Sequence, residues 1–158
     1  MGTQSAGSRM SEAVCLALYS TMNATLQLYR DLLAPWGLSY QQLMVLGVLW
    51  EEGESTPGRI AQVLGIDSSS VAGLLRRLQG EELIARETDP GDRRRVRVTP
   101  TDRGRRIAEE LGWLEACVTE AMSMEASVAH DLVTRLDALR QTVLAFPRPQ
   151  LTPDPAPA

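Results

Sequence analysis

The sequence is poor in the residues that build metal sites and disulfide frameworks. It contains one histidine, His130, and two cysteines, Cys15 and Cys117, that lie 102 positions apart. One imidazole and two distant thiols do not supply a tetrahedral zinc site, and they do not form the cysteine framework of a small secreted protein. We therefore expect no metal, no cofactor, and two thiols that a reducing compartment keeps reduced.

Long apolar runs are also missing. No segment reaches the roughly 18 consecutive apolar residues that span a bilayer, and the first ten residues lack the apolar core of a secretion signal. A length of 158 residues with 44% apolar residues is sufficient for one domain with a buried core. The sequence thus predicts a cytoplasmic protein with no membrane partner.

Lysine is absent, so every basic side chain is an arginine. Ten of the 16 basic residues lie between Arg76 and Arg106. Residues 54–106 carry a net charge of +3 and the rest of the chain carries −7, which gives the overall −4. Because the arginine fork suits phosphates and base edges, the local excess indicates nucleic-acid binding. The alternative is a solvated charged face.

Apolar spacing and capping residues predict six helices. Their predicted starts are Ser11, Ser39, Thr56, Asp67, Thr101 and Val128. The third is the clearest, because a threonine N-cap is followed by Pro57 at the first helical position and the helix ends at Gly65. The fifth is expected to continue to about Met122. Residues 1–10 and the proline-rich tail 147–158 are expected to be disordered.

Two short segments between the fourth and fifth helices have the pattern of β-strands. The second, RRVRVT, alternates Val96 and Val98 with arginines, and Pro90 with Gly91 lies in the turn before it. Helix, three-residue link, helix and basic hairpin is the order of a winged helix-turn-helix. The predicted fold class is therefore mainly α with a small β-wing, in one domain over residues 11–146 whose DNA-binding part is about 54–104.

The predicted DNA-binding residues fall at three places in this arrangement. Serines lie at the start of the second helix of the pair, where base edges are read, and two arginines lie two turns later, near phosphates. Three more arginines crowd the hairpin tip, where an arginine can enter a narrow minor groove. The alternatives are helix capping for the serines and solvation for the tip arginines. These residues are Ser68, Ser69, Ser70, Arg76, Arg77, Arg93, Arg94 and Arg95.

The stretch DPGDRRRVRVTPTDRG resembles the wing signature of the MarR family of bacterial transcription regulators. Asp92 and Arg94 fall on its Asp and Arg, and Thr101 and Gly104 on its closing Thr and Gly, whereas Pro100 replaces the usual leucine. The resemblance implies that the arginine probes the minor groove while the aspartate braces the wing through an ion pair. It also implies a two-fold homodimer, formed through the first and last helices, on a pseudo-palindromic operator.

Within that family the N-terminal half resembles the organic hydroperoxide sensors, the OhrR branch. Cys15 matches a reactive cysteine near the start of the first helix, and Tyr19, Tyr29 and Tyr40 match tyrosines of that branch. The resemblance implies that phenol hydroxyls, aided by the positive end of the helix, stabilise the thiolate that attacks a peroxide. It also implies a resolving role for Cys117, in an intersubunit disulfide.

The spacing adds a constraint of its own. Fourteen residues separate Cys15 from Tyr29, which is about 21 Å along one helix. If the thiol and this phenol meet, the phenol must come from an antiparallel second chain, as a two-fold dimer provides. Together with this constraint, the resemblance to the OhrR branch implies a repressor that leaves its operator when organic hydroperoxide oxidises Cys15.

Other readings stay open at this point. Each cysteine could be core filling, and the trigger could be a small phenolic or aromatic ligand in the dimer cleft, lined by Trp36, Tyr40 and Trp113. A redox-inert interaction module is a further alternative. A thiol peroxidase is not expected, because the chain offers no motif for turnover, so we predict that the protein is not an enzyme.

Overall fold

The computed structural model describes residues 6–88, 90–92 and 95–148, with side chains from residue 13 onward. The described residues form seven α-helices and one two-stranded antiparallel sheet. The helices are α1 Ala6–Leu33, α2 Tyr40–Glu52, α3 Pro57–Leu64, α4 Ser68–Gly80, α5 Asp102–Glu110, α6 Leu114–Met122 and α7 Ala126–Ala145; the strands are β1 Ile84–Thr88 and β2 Val96–Pro100.

Local capping explains where the central helices begin. The Ser39 side chain accepts a hydrogen bond from the backbone of Gln42, whose own side chain accepts from the Ser39 N–H, which makes a complete capping box. Thr56 and Asp67 cap α3 and α4 through the same kind of side-chain contact. Gly65 ends α3 in the left-handed conformation. These predicted boundaries are confirmed.

Three boundaries differ from the sequence-based expectation. The last helix begins at Ala126, not at Val128. Helix α1 begins at Ala6, not at Ser11, so residues 6–10 are helical and not disordered. The expected fifth helix is two helices, α5 and α6, because the chain turns at Leu111 and Gly112, where backbone N–H groups bond to Ile107 and Glu109 within the last turn. The fold class is as predicted, with one helix more.

The chain groups into two compact units, Met1–Leu114 and Glu115–Ala158, which we describe separately. The first unit holds the core, in which α2, α3 and α4 pack together, α2 and α3 against β2 and α4 against β1. Its fully buried side chains are Leu33, Val45, Leu46, Leu49, Ile60, Val71, Leu75, Leu78 and Val98. The single-domain prediction stays a prediction.

The strands of the first unit form the wing. Arg86 pairs with Val98 in the antiparallel register, and Val98 also exchanges two backbone hydrogen bonds with Ser55, which ties the hairpin to the α2–α3 link. The second unit contains α7, along which no residue is buried.

Among the described helices, none is long and apolar enough to cross a bilayer alone. One pair, Ala13–Trp36 with Tyr40–Glu52, meets the length and composition criteria jointly, but it is bent by 73°.

Candidate DNA interface and thiol site

The helix-turn-helix consists of α3 and α4, joined by residues 65–67. Helix α4 buries Val71, Leu74, Leu75 and Leu78 against the core. Its opposite side is exposed and carries Arg76 and Arg77. The helix that would read DNA is thus fixed by one apolar face while its basic face is open.

The start of α4 is organised around Asp67. The hydroxyl of Ser70 donates to this carboxylate at 2.6 Å and its backbone N–H at 2.9 Å, and the hydroxyl of Ser69 also donates to it. These hydrogen bonds hold the pKa of the Asp67 carboxyl well below its usual range. The hydroxyls of two of the three predicted serines therefore donate to Asp67, the residue that caps the helix. Ser68 is exposed.

The wing carries part of the predicted basic tip. Arg93 and Arg94 lie outside the described residues. Arg95 is exposed, its backbone N–H bonds to the Asp92 carbonyl at 2.8 Å, and its Nε lies 3.8 Å from the Asp92 carboxylate. The structure thus places Arg95 beside Asp92, the residue that the family resemblance expects to brace the wing through an ion pair.

Sequence reasoning missed two ion pairs that flank the wing base. Arg97 of β2 lies 3.4 Å from Glu54, and Arg59 of α3 lies 3.0 Å from Glu52. Both pairs are largely exposed, so each contributes little stability alone. They do reduce the share of the arginine excess that is available to DNA.

Thr101 and Gly104, which match the end of the family signature, fasten the wing to α5. The Thr101 side chain donates to the Glu82 carbonyl at 2.7 Å and accepts from the Gly104 N–H at 3.1 Å. A Cβ on Gly104 would lie 2.2 Å from the Leu83 carbonyl oxygen. This glycine therefore permits a close approach of α5 to the turn after α4, and the motif is structural.

Cys15 lies on an exposed face of α1. Val14, Leu16, Leu18, Tyr19 and Met22 around it are exposed as well, Tyr19 to 69%. Because α1 begins at Ala6, Cys15 is nine residues, or about 14 Å, from the helix start. The helix dipole acts within the first turn, so the positive end of α1 is too far away to stabilise the Cys15 thiolate. That expectation was wrong.

Tyr29 and Tyr40 meet within one protomer. Their ring centroids are 4.5 Å apart, and both side chains are half-buried. Burial and the neighbouring Tyr40 raise the pKa of the Tyr29 phenol, which stays protonated and able to donate. Since α1 is one continuous helix, this pair remains about 21 Å along the axis from Cys15. The structure assembles the two phenols and leaves the thiol apart from them in the same chain.

The second cysteine, Cys117, is half-buried on α6, in the second compact unit. Within the part of the chain that the structure describes, no three His, Cys, Asp or Glu side chains form a group that could hold a metal ion.

The three aromatic residues expected to line one ligand cleft separate into two places. Trp36 and Trp113 lie 6.3 Å apart, and the Trp36 indole donates to Glu110 at 2.7 Å. A cavity of about 300 Å³ beside Trp36 is also lined by Arg103 and Arg106. Tyr40 instead borders a more apolar cavity of about 410 Å³ between α1, α2 and α3.

The last contact that the sequence did not indicate joins α2 to α4. The buried Gln42 amide donates to both carboxylate oxygens of Glu81, at 3.2 and 3.3 Å. The residues are 39 positions apart, and no local pattern marks the pair.

Residues 36–95 match the sequence pattern of the MarR family. The chain is 32% identical over 136 residues to the HTH-type transcriptional regulator TtmR of Methylorubrum extorquens, an alignment that covers 86% of this chain and 70% of TtmR.

Two similar proteins of known structure extend the comparison. Reduced AbfR bound to DNA, a protein of Staphylococcus epidermidis, superposes with a TM-score of 0.78 at 24% identity, covering 87% of this chain and 96% of AbfR. AbfR with its disulfide formed gives 0.58 at 30% identity, covering 84% and 93%. BpsR of Bordetella bronchiseptica, whose DNA binding is regulated by 6-hydroxynicotinic acid, gives 0.73 at 25%, covering 81% and 98%. These likenesses confirm the winged helix-turn-helix fold.

Proposed function

Since this chain is a DNA-binding transcription regulator that belongs to the MarR family, we propose that it is a dimeric repressor that releases its operator when an organic hydroperoxide oxidises Cys15. The observation that carries the proposal is the exposed thiol on an apolar helix face that one chain leaves uncovered. A second copy, antiparallel along α1, would cover this face and bring its own Tyr29 and Tyr40 to the thiol.

The chemistry of the proposed sensor is a two-electron oxidation. The Cys15 thiolate attacks the terminal oxygen of the hydroperoxide, an S–O bond forms, the O–O bond breaks, and the alkoxide takes up a proton to leave as an alcohol. The resulting sulfenic acid condenses with the thiol of Cys117 from the partner, which gives a disulfide and water. The existence of a disulfide-formed AbfR at 30% identity supports this second step.

DNA recognition in this proposal uses the faces described above. The start of α4, with Ser68, Ser69 and Ser70, enters the major groove, while Arg76 and Arg77 contact phosphates. The wing tip reaches the minor groove with the arginines that follow Asp92, which braces the hairpin. Oxidation at the subunit seam changes the distance between the two α4 helices, which no longer matches the fixed half-site spacing.

The test compares DNA binding before and after one equivalent of organic hydroperoxide in the parent and in Cys15→Ser. We expect release by the parent and full retention by the variant. Cys117→Ser is the matched control: it should still respond, but without an intersubunit disulfide in non-reducing mass spectrometry. Equal release by parent and Cys15→Ser contradicts the sensing role.

One observation favours a second candidate, a repressor released by a small aromatic ligand. The Trp36 cavity offers an aromatic surface and two arginines, a combination that suits a planar anion. BpsR, regulated by 6-hydroxynicotinic acid, supports this reading. Ligand-dependent DNA release by a variant in which both cysteines are serine would favour it over oxidation.

A further inference from the structure

Among the residues whose side chains the structure describes, Gln42 is one of two polar residues that are buried, with 5% of its surface exposed. Both ends of its side-chain amide are used. The oxygen accepts from the Ser39 N–H at 2.9 Å, and the nitrogen donates to both oxygens of the Glu81 carboxylate. A buried amide bonded to a charged acceptor is held strongly, because an unpaired donor there is costly.

Glu81 is the residue that closes the recognition helix. Its own backbone N–H bonds to the Arg77 carbonyl at 3.0 Å. The next residue, Glu82, has a positive φ of 58°, and its carbonyl is held by Thr101 at the start of α5. The end of α4 is thus fixed from two sides, by α5 through Thr101 and by α2 through Gln42.

The other end of this connection leads to α1. Tyr40 precedes Gln42 by two residues on α2, and its ring packs on Tyr29 of α1. A displacement of α1 that moves Tyr29 would therefore shift the first turn of α2, and the Gln42 amide would carry this shift to Glu81. Each step is a direct contact between neighbouring elements, which a coupling mechanism requires.

We propose that Gln42 is the positioning residue that sets the orientation of the recognition helix relative to α2 and passes a displacement of α1 on to it. The second half rests on the proposed function, because it takes α1 as the element that the signal moves. Gln42 itself contacts no DNA; it acts through Glu81.

The experiment exchanges the side chains of Gln42 and Glu81. Gln42→Glu keeps a residue that can serve in the capping box but sets two carboxylates against each other. The double variant Gln42→Glu with Glu81→Gln restores one amide and one carboxylate, in reverse. Glu81→Ala removes the acceptor from an exposed position without replacing any buried side chain. Affinity is measured for a duplex selected from random sequence by the reduced parent.

We expect about tenfold weaker binding by Gln42→Glu and by Glu81→Ala, and recovery to within about threefold of the parent in the exchanged variant. Thermal unfolding of each variant checks that the fold is kept. If Glu81→Ala binds as the parent does, or if the folded exchanged variant stays as weak as Gln42→Glu, the positioning role is overturned.

A second measurement separates this proposal from the redox function. The ratio of DNA affinities before and after organic hydroperoxide should fall about tenfold in Glu81→Ala relative to the parent. An unchanged ratio overturns the transmission by Gln42. If hydroperoxide leaves the DNA affinity of the parent unchanged, the proposed redox function fails, and the transmission by Gln42 fails with it. The DNA affinities of the reduced variants still decide the positioning role in that case.

Discussion

The region from α2 to α5 and the helices at the two ends of the chain differ as single-chain structures. In the first region the helices are capped, and Leu46, Ile60 and Leu75 are fully buried. In the first half of α1 and along α7, large apolar side chains are exposed, such as Leu16, to 66%, and Leu144, to 62%. Exposed apolar surface on this scale indicates an interaction surface. The DNA-reading part is therefore folded within its own chain, whereas the surfaces at the ends are those that the proposed dimer would cover.

The largest expected effect tests whether a second copy covers the exposed apolar side of α7. Leu136→Asp places a charge on the exposed apolar side of α7, where Leu132 and Leu139 each lie about one turn away, before and after it. If a second copy covers this side, the variant becomes monomeric and binds a palindromic duplex about 100-fold more weakly, because bivalent contact is lost. Light scattering and a binding titration measure both. The control is Gln141→Asp, which places the same charge at an exposed polar position. If Leu136→Asp stays dimeric, a second copy does not cover this side of α7.

A prediction of intermediate size tests the packing of the region from α2 to α5. Gly104→Ala forces a Cβ against the Leu83 carbonyl oxygen, a backbone atom with little freedom to move. We expect the free energy of unfolding to fall by about 2–3 kcal/mol. Gly47→Ala, in the middle of α2 with open space around the added carbon, should instead gain about 1 kcal/mol from helix propensity. Chemical denaturation measures the free energy of unfolding of both variants. Equal values for the two would show that the close approach of α5 to Leu83 does not require glycine at position 104.

The smallest effect concerns the strained position in the same region. Glu82 holds a positive φ that costs an L-residue about 1–2 kcal/mol, whereas glycine adopts it freely but loses more entropy on folding. Glu82→Gly should therefore raise the free energy of unfolding by about 0.5–1 kcal/mol. Glu87→Gly makes the same exchange within β1 and should lower it. A loss of stability in Glu82→Gly would mean that the Glu82 side chain matters more than its backbone.

Sequence reasoning succeeded where the determinants are local. Thr56 with Pro57, Gly65 and Asp67 act on neighbouring backbone groups, so the helix-turn-helix boundaries follow from a few residues. The alternation of Val96 and Val98 likewise indicated the second strand. The start of α1 was misplaced because Ser11 looks like a cap in isolation. The break after α5 has a signal in Gly112, which a continuing apolar pattern concealed.

The side-chain arrangement at the candidate sites was less predictable. Nothing in the spacing showed that the hydroxyls of Ser69 and Ser70 turn to Asp67, or that the ring of Tyr40 lies on that of Tyr29 in the same chain. The Gln42–Glu81 pair depends on how α2 crosses α4, which only the folded chain determines. Contacts across long sequence separations are set by packing, and a single sequence carries no local record of them.

The bare side of α7 has a consequence for gene control. If a twin subunit closes that side, the amount of assembled regulator varies with the square of the free subunit concentration when subunits are scarce. When cell division or slower synthesis lowers the subunit concentration, the amount of assembled regulator would then fall more than in proportion. Repression would be lifted even where no signal molecule is present. The abundance of the protein would itself act as an input to the promoter.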